Sequence, residues 1–341
     1  MSATRPTTSG SSRAGADAAG DGRDAVDPRP SGEQERRARR AGGKPPLTDR
    51  AKGERNLGLI LVAPAFVVMM GVVAYPMLLA AYDSLFSYRL TAPDQRSFVG
   101  LQNYTTILTD GLWWQAFLTT GYITVITVAV ELVLGFALAM VMHKAITTLR
   151  PVLRTAILIP YAIITVVSAF AWFYAFDLNS GFVNQWLPFV GDDFNWFAER
   201  TSSLVVIMLS EIWKTTPFIS LLLLAGLAQV PEDLQEAARV DGATFWERLR
   251  KVTLPNMKAA IMVALLFRTL DAVRIFDNVF IMTAGTNGTE TLAFLAYRQT
   301  IQRQEVGLGS AISVLLFLLV VLIAVVFVKV FKVDLSRQRG E

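Results

Sequence analysis

Six long apolar stretches dominate the sequence, near residues 57–81, 115–141, 152–176, 203–228, 260–282 and 309–331. Each reaches the ~20 residues a helix needs to cross a bilayer. Backbone inside hydrocarbon must satisfy its own polar groups, and a helix does so within one segment. The stretches therefore predict an all-α integral membrane protein with six spans over residues 57–335. Composition agrees, with 53% of the 341 residues hydrophobic and 18% charged. A short turn containing Pro151 joins the second stretch to the third and predicts an antiparallel hairpin. Residues 1–50 are rich in Ser, Gly, Ala, Pro, Asp and Arg, cannot bury a core, and read as a disordered tail. No apolar stretch precedes Leu57, so no cleavable signal is expected. Arg36, Arg37, Arg39 and Arg40 read as a solvated run that helps hold the N-terminus inside, or as a contact for anionic lipid or a partner.

Lys and Arg are unevenly spread beside the spans. The 142–154 turn carries Lys144, Arg150 and Arg154, and the 229–259 loop carries Arg239, Arg248, Arg250, Lys251 and Lys258. The C-terminal end adds Lys329, Lys332, Arg337 and Arg339. The other side has Arg89, Arg96, Arg200, Arg298 and Arg303. The richer side is cytoplasmic by the positive-inside rule, which places both termini and the 229–259 loop inside a multi-pass cell-membrane protein. The outer loops hold Tyr88, Tyr104, Trp113, Trp114, Trp186 and Trp196, read as interfacial anchors or as a grip on a ligand-delivery protein.

Catalytic patterns are missing. The chain has no Cys and a single His143, which removes thiolate chemistry and a His-built metal site. Gly42-Gly43-Lys44 lacks the upstream Gly of a phosphate loop and is followed by Pro45. Asn103-Tyr104-Thr105 and Asn287-Gly288-Thr289 match a glycosylation triplet that chance often produces. This chain is expected to be no enzyme and to hold no cofactor.

Polar residues inside the spans are more informative, because charge in hydrocarbon faces a cavity or a partner. Arg268, Asp271, Arg274, Asp277 and Asn278 follow one another in the fifth stretch. Either they pair along the helix as a structural ladder, or some of Asp271, Arg274, Asp277 and Asn278 line a substrate path. Glu131 lies in mid-span in the second stretch. Glu211 and Lys214, one turn apart in the fourth, neutralise each other, or Glu211 joins the path, and Trp213 offers a flat face to a sugar ring or simply packs. Pro217 makes a kink there plausible, with Thr215 and Thr216 at hand for the freed carbonyls.

Between the fourth and fifth stretches lies a charged, helix-forming loop. Pro231, Glu232 and Asp233 suit a helix N-terminus, and Gly242 suits a turn at positive φ. Thr244 with Glu247 forms a capping box for a second short helix, which Pro255 limits. Glu236-Ala237-Ala238, Asp241-Gly242 and Val252-Thr253-Leu254-Pro255 match in register the "EAA" loop of permease subunits in ATP-binding-cassette (ABC) importers, with Val252 for the usual Ile.

A second set, Ile275-Phe276-Asp277, Met282-Thr283-Ala284-Gly285, Thr289-Glu290-Thr291-Leu292 and Gly307-Leu308-Gly309-Ser310-Ala311, resembles carbohydrate-importer permeases of the maltose-permease type. Within that family the overall pattern is most similar to trehalose-importing permeases. The resemblance implies a type I permease bundle and alternating access for a carbohydrate, a disaccharide such as trehalose. It implies a second homologous permease, two cytoplasmic ATPase subunits that bind ATP and Mg, and an extracytoplasmic substrate-binding lipoprotein. Glu236, Ala237, Ala238, Asp241, Gly242, Leu254 and Pro255 would then couple the ATPases to the spans. The competing classes are a self-contained secondary transporter or channel, for which no internal repeat is visible, and a membrane enzyme.

Overall fold

The computed structural model describes residues 49–145 and 148–331. The expected disordered tail, apart from Asp49 and Arg50, and the basic residues beyond Phe331 lie outside the described residues. The chain divides into a unit ending at Val72 and a larger one from Val73 onward. The first contains α1 (Asp49–Met69). A π-helical turn, Met70–Ala74, passes the chain into α2 (Tyr75–Asp83). The run Asn56–Asp83 has the length and hydropathy of a membrane span.

In the larger unit, two-residue strands β1 (Phe86–Ser87) and β2 (Ser97–Phe98) pair antiparallel and lead to α3 (Gln102–Thr109). Two long helices form the centre, α4 (Gly111–Lys144) and, later in the chain, α8 (Arg200–Leu227). Between them come α5 (Arg150–Ala162), α6 (Thr165–Phe176) and the single turn α7 (Val183–Trp186). After α8 follow α9 (Glu232–Val240), α10 (Phe245–Arg248), a π turn (Leu249–Thr253) and α11 (Leu254–Asn256). The last group is α12 (Lys258–Ala272), α13 (Asp277–Met282), α14 (Leu292–Tyr297) and α15 (Val306–Phe331).

Among the described residues four helices are long and apolar enough to cross a membrane, or five if α5 and α6 count as one bent span. The expected third stretch is not one straight helix. Pro160 removes a hydrogen bond from the last turn of α5, and Ile163 and Ile164 take extended conformations. The two halves meet at 84°. The expected fifth stretch is also broken, at Val273–Phe276, leaving the 15-residue α12 and the 6-residue α13. The hydroxyl of Thr291 donates to the freed Ile275 carbonyl at 3.0 Å. By contrast α8 runs unbroken through Pro217, with the Thr215 hydroxyl 2.7 Å from the Glu211 carbonyl and the Thr216 hydroxyl donating to the Ile212 carbonyl.

The core lies where α4, α8 and the α12–α13 strand of helices meet. One apolar cluster, with Ile123, Val206, Ile207 and Val279, fills one end of α4 and α8. Another, with Met142, Ile219, Leu223, Met257 and Ala264, fills the other end. Gly135 lets α4 approach α8 closely, because a Cβ there would lie 2.6 Å from Ile219 Cγ2 and 3.3 Å from the Ser220 nitrogen. In hydrocarbon, where no hydrophobic force drives helices together, such small-residue contacts carry the packing. Gly135→Leu should therefore destabilise the purified protein by about 1–3 kcal/mol, seen as a lower midpoint in a thermal scan. An unchanged midpoint would mean that α4 and α8 do not meet at Gly135.

Candidate functional site

Arg268, on α12, is fully buried and meets three carboxylates. Its Nε and Nη2 donate to the two oxygens of Glu131 on α4. Nη2 also donates to Glu211 on α8 at 2.8 Å, and Nη1 to Asp271 at 2.9 Å. The hydroxyl of Thr215 sits 2.8 Å from Glu131, and Asn278 donates to the second oxygen of Glu211 at 2.7 Å. Glu131 is as fully buried as Arg268. The cluster lies between the two apolar clusters and joins three helices by charge-assisted bonds.

Beside it opens a cavity of about 530 Å³. Five sequence candidates line it, namely Glu211, Asp271, Arg274, Asp277 and Asn278. The two helix breaks border it, through Tyr161 and Thr165 on one side and Ile275 and Phe276 on the other. Asn278 is buried, and its Oδ1 has no hydrogen-bond partner among the described residues. Asp271 is 62% exposed although it holds Arg268. The wall thus offers carboxylates, a carboxamide, hydroxyls, aromatic rings and the cations Lys214 and Arg274.

Several sequence expectations change here. The ladder along the fifth stretch forms only at Arg268–Asp271, because the break after Ala272 takes Asp277 out of register. Arg274 instead donates to the Leu270 carbonyl at 3.2 Å. Glu211 pairs with Arg268, and the Lys214 ammonium lies 5.4 Å from the Tyr161 ring. Trp213 does not line the cavity; it stands 6.0 Å from Trp172, half exposed. Glu131, Lys214, Thr165 and Tyr161 were not among the path candidates. Their only sequence signal was a charge, hydroxyl or aromatic within an apolar run.

The loop Glu232–Asn256 forms the predicted helix, elbow and helix. Gly242 has φ +77°. Thr244 and Glu247 make both halves of the capping box. The Thr244 backbone N–H, then its hydroxyl, hold the Glu247 carboxyl below the usual carboxylate range. The second helix does not stop at Pro255; it passes through the π turn, and Pro255 opens the next helical turn, where its missing N–H is harmless. Gln235 ties the loop inward by donating to Thr253 at 2.9 Å. Leu234, Val240 and Trp246 face outward, with Val240 86% and Trp246 68% exposed. From Leu254-Pro255 the chain continues through α12, a rod of about 22 Å at 1.5 Å per residue, to Asp271 at the cavity.

Arg268→Met should leave two buried carboxylates without their cation, a loss of about 3–5 kcal/mol. Far less folded protein should then be recovered from membranes, and Arg268→Met with Glu131→Gln and Glu211→Gln should recover part of the yield. Wild-type yield for the single variant would show that the cluster does not hold the three helices.

Residues 131–333 match the family described as binding-protein-dependent transport system inner membrane component. The chain is 50% identical over 278 residues to the trehalose transport system permease protein SugA of Mycobacterium tuberculosis, covering 82% of this chain and 89% of that one. It is 36% identical to the trehalose/maltose transport system permease protein MalF of Thermococcus litoralis, over 83% of this chain and 97% of the other. Among solved structures, a bacterial ABC transporter involved in import of the acidic polysaccharide alginate shares the fold, with a TM-score of 0.71 at 20% identity over 84% of this chain and 98% of that one. The chain belongs to the family of binding-protein-dependent transport system inner membrane components, as a helical membrane permease of the ABC-importer class.

Proposed function

We propose that this chain is one permease half of an ATP-driven importer for a neutral carbohydrate, a disaccharide such as trehalose, working by alternating access. The observation that carries it is the helical link from the exposed loop to the charged cavity, through α11, a turn at Met257 and α12. Trehalose is named in the relative that shares half its residues with this chain over most of both lengths. In this reading α5 with α6, and α12 with α13, each count as one span, which makes six. The loop and both termini face the cytoplasm, as the Lys and Arg distribution supports.

Val240 and Trp246 stand on either side of the Gly242 elbow and anchor the loop in a cleft of an ATPase, while Glu236 presents a charge to it. Ala237 and Ala238 keep the helix slim there, Asp241 closes it, and Leu254 and Pro255 join the loop to α12. Two ATPases with ATP and Mg, a second permease and an extracytoplasmic binding protein complete the assembly. Closure of the ATPases moves the loop, α12 transmits the movement, and the breaks beside the cavity absorb it. Glu211, Asp271, Arg274, Asp277 and Asn278 line the sugar path. Membership of the family supports this reading over a secondary transporter, channel or membrane enzyme.

Gly242→Val adds a side chain at positive φ, a strain of about 1–2 kcal/mol, on the docking surface. It should abolish uptake while the chain still inserts normally; full uptake would remove the loop from the coupling path. Asp271→Asn leaves Arg268 its two buried partners, so it should reduce trehalose uptake without loss of assembly, and Asp277→Asn should do the same. Normal uptake in both variants would mean that the cavity is not the path. With the complex in liposomes and its binding protein supplied, trehalose should stimulate ATP hydrolysis. Stimulation by another sugar alone would overturn the substrate.

A further inference from the structure

Two cavities meet at the loop-side end of α4. One is a cleft of about 390 Å³ between that helix end and the loop, bordered by His143, Lys144, Arg239 and Arg248 and by Glu232 and Glu236. The other is a groove of about 630 Å³ running back along α4 and the start of α5, lined by Ala137, Met140, Val141, Leu149 and Leu153, with Lys144 at its rim. Met140 and Lys144 belong to both. Val141 and Leu149 are more than half exposed, so the groove is open on the membrane side. From Ala137 to Lys144 it follows two turns of α4, about 10 Å, or most of the ~15 Å depth of one leaflet's hydrocarbon.

The charges stand where that groove ends. The Lys144 ammonium lies 5.0 Å from the centre of the Phe245 ring, which places it between α4 and the loop. Lys144, Arg239 and Arg248 make no ion pair with a carboxylate among the described residues. Three cations border the cleft against two carboxylates. An apolar trough inside the membrane that opens onto unpaired cations at its surface matches one ligand chemistry: an acyl chain joined to a phosphate. A partner helix would fill the trough but leave the cations unanswered. A free phosphate would answer the cations but leave the trough empty.

We propose that an anionic phospholipid of the loop-side leaflet binds here, its acyl chain in the α4–α5 groove and its phosphate at Lys144, reached by Arg239 and Arg248 from the loop. The lipid then ties the end of α4 to the loop. The inference rests on the chain lying in a bilayer, and it holds whether or not the loop docks an ATPase.

The test is lipid retention by the complex purified in mild detergent from phosphatidylglycerol-containing membranes, with bound phospholipid counted per chain by mass spectrometry. The wild type should retain phosphatidylglycerol in preference to phosphatidylcholine. Lys144→Gln and Arg248→Gln should each lower retention about fivefold, the effect of one cation near an anionic headgroup. Val141→Trp should lower it by filling the groove with every cation in place. Glycerol phosphate, which lacks acyl chains, should not displace the lipid. Equal retention in all three variants, or no preference for phosphatidylglycerol, would overturn the proposal. Loss in the charge variants alone, with displacement by glycerol phosphate, would replace it with a free phosphate ligand. Retention of ATPase subunits, measured on the same samples, separates this result from any failure of the coupling loop.

Discussion

A guanidinium buried in a membrane protein cannot be left alone, and the placing of Arg268 organises the structure around that constraint. Removing a charge from water carries a large penalty that only close, well-directed partners offset. Those partners come from other helices, Glu131 from α4 and Glu211 from α8. Each carboxylate is in turn held by a further group, Thr215 for Glu131 and Asn278 for Glu211. Apolar clusters above and below close the polar layer off. A slip of one turn in any of the three helices would separate charges in a low-dielectric interior, so the cluster sets their register as well as their proximity.

The same cluster positions the cavity. Arg268 draws Asp271 to the end of α12, and the chain breaks directly after it. Asn278 lies just beyond the break and returns to Glu211. The broken segment is thus pinned on both sides to a rigid core, while Arg274 and Ile275 between them turn back in tighter bonds to the carbonyls of Asp271 and Ala272. Irregular backbone at such a depth is tolerated where it lines a cavity, as Arg274, Ile275 and Phe276 of the second break do. The loop at the far end of α12 has the complementary character: Thr253, Leu249 and Met257 are buried, whereas Val240 and Trp246 project outward. One face of the loop belongs to the membrane domain, and the other is exposed.

Local rules in the sequence were enough for much of this. Apolar runs of spanning length specify membrane helices because hydrocarbon offers backbone groups no other partners. Gly242 and the Thr244–Glu247 pair specify an elbow and a capped helix because their determinants lie within a few residues of each other. The spacing of Glu236-Ala237-Ala238, Gly242 and Leu254-Pro255 carried the family. The charged residues within the spans pointed to the neighbourhood of the cavity, since five of the six path candidates line it.

Helical spacing accounts for Arg268 with Asp271, and tertiary structure decided the other pairings. Spacing along one helix suggests Arg274 with Asp271 or Asp277, and Glu211 with Lys214. The fold instead joins Arg268 to Glu131, 137 residues away, and to Glu211, 57 residues away. The break at Ile163–Ile164 likewise falls inside an apolar run whose composition reads as continuous helix. A side chain's distance along the chain determines which turn of a helix it occupies. Its partner depends on which helix faces meet, and that is set by close approaches such as Gly135 against Ile219, far apart in sequence and adjacent only in the packed bundle.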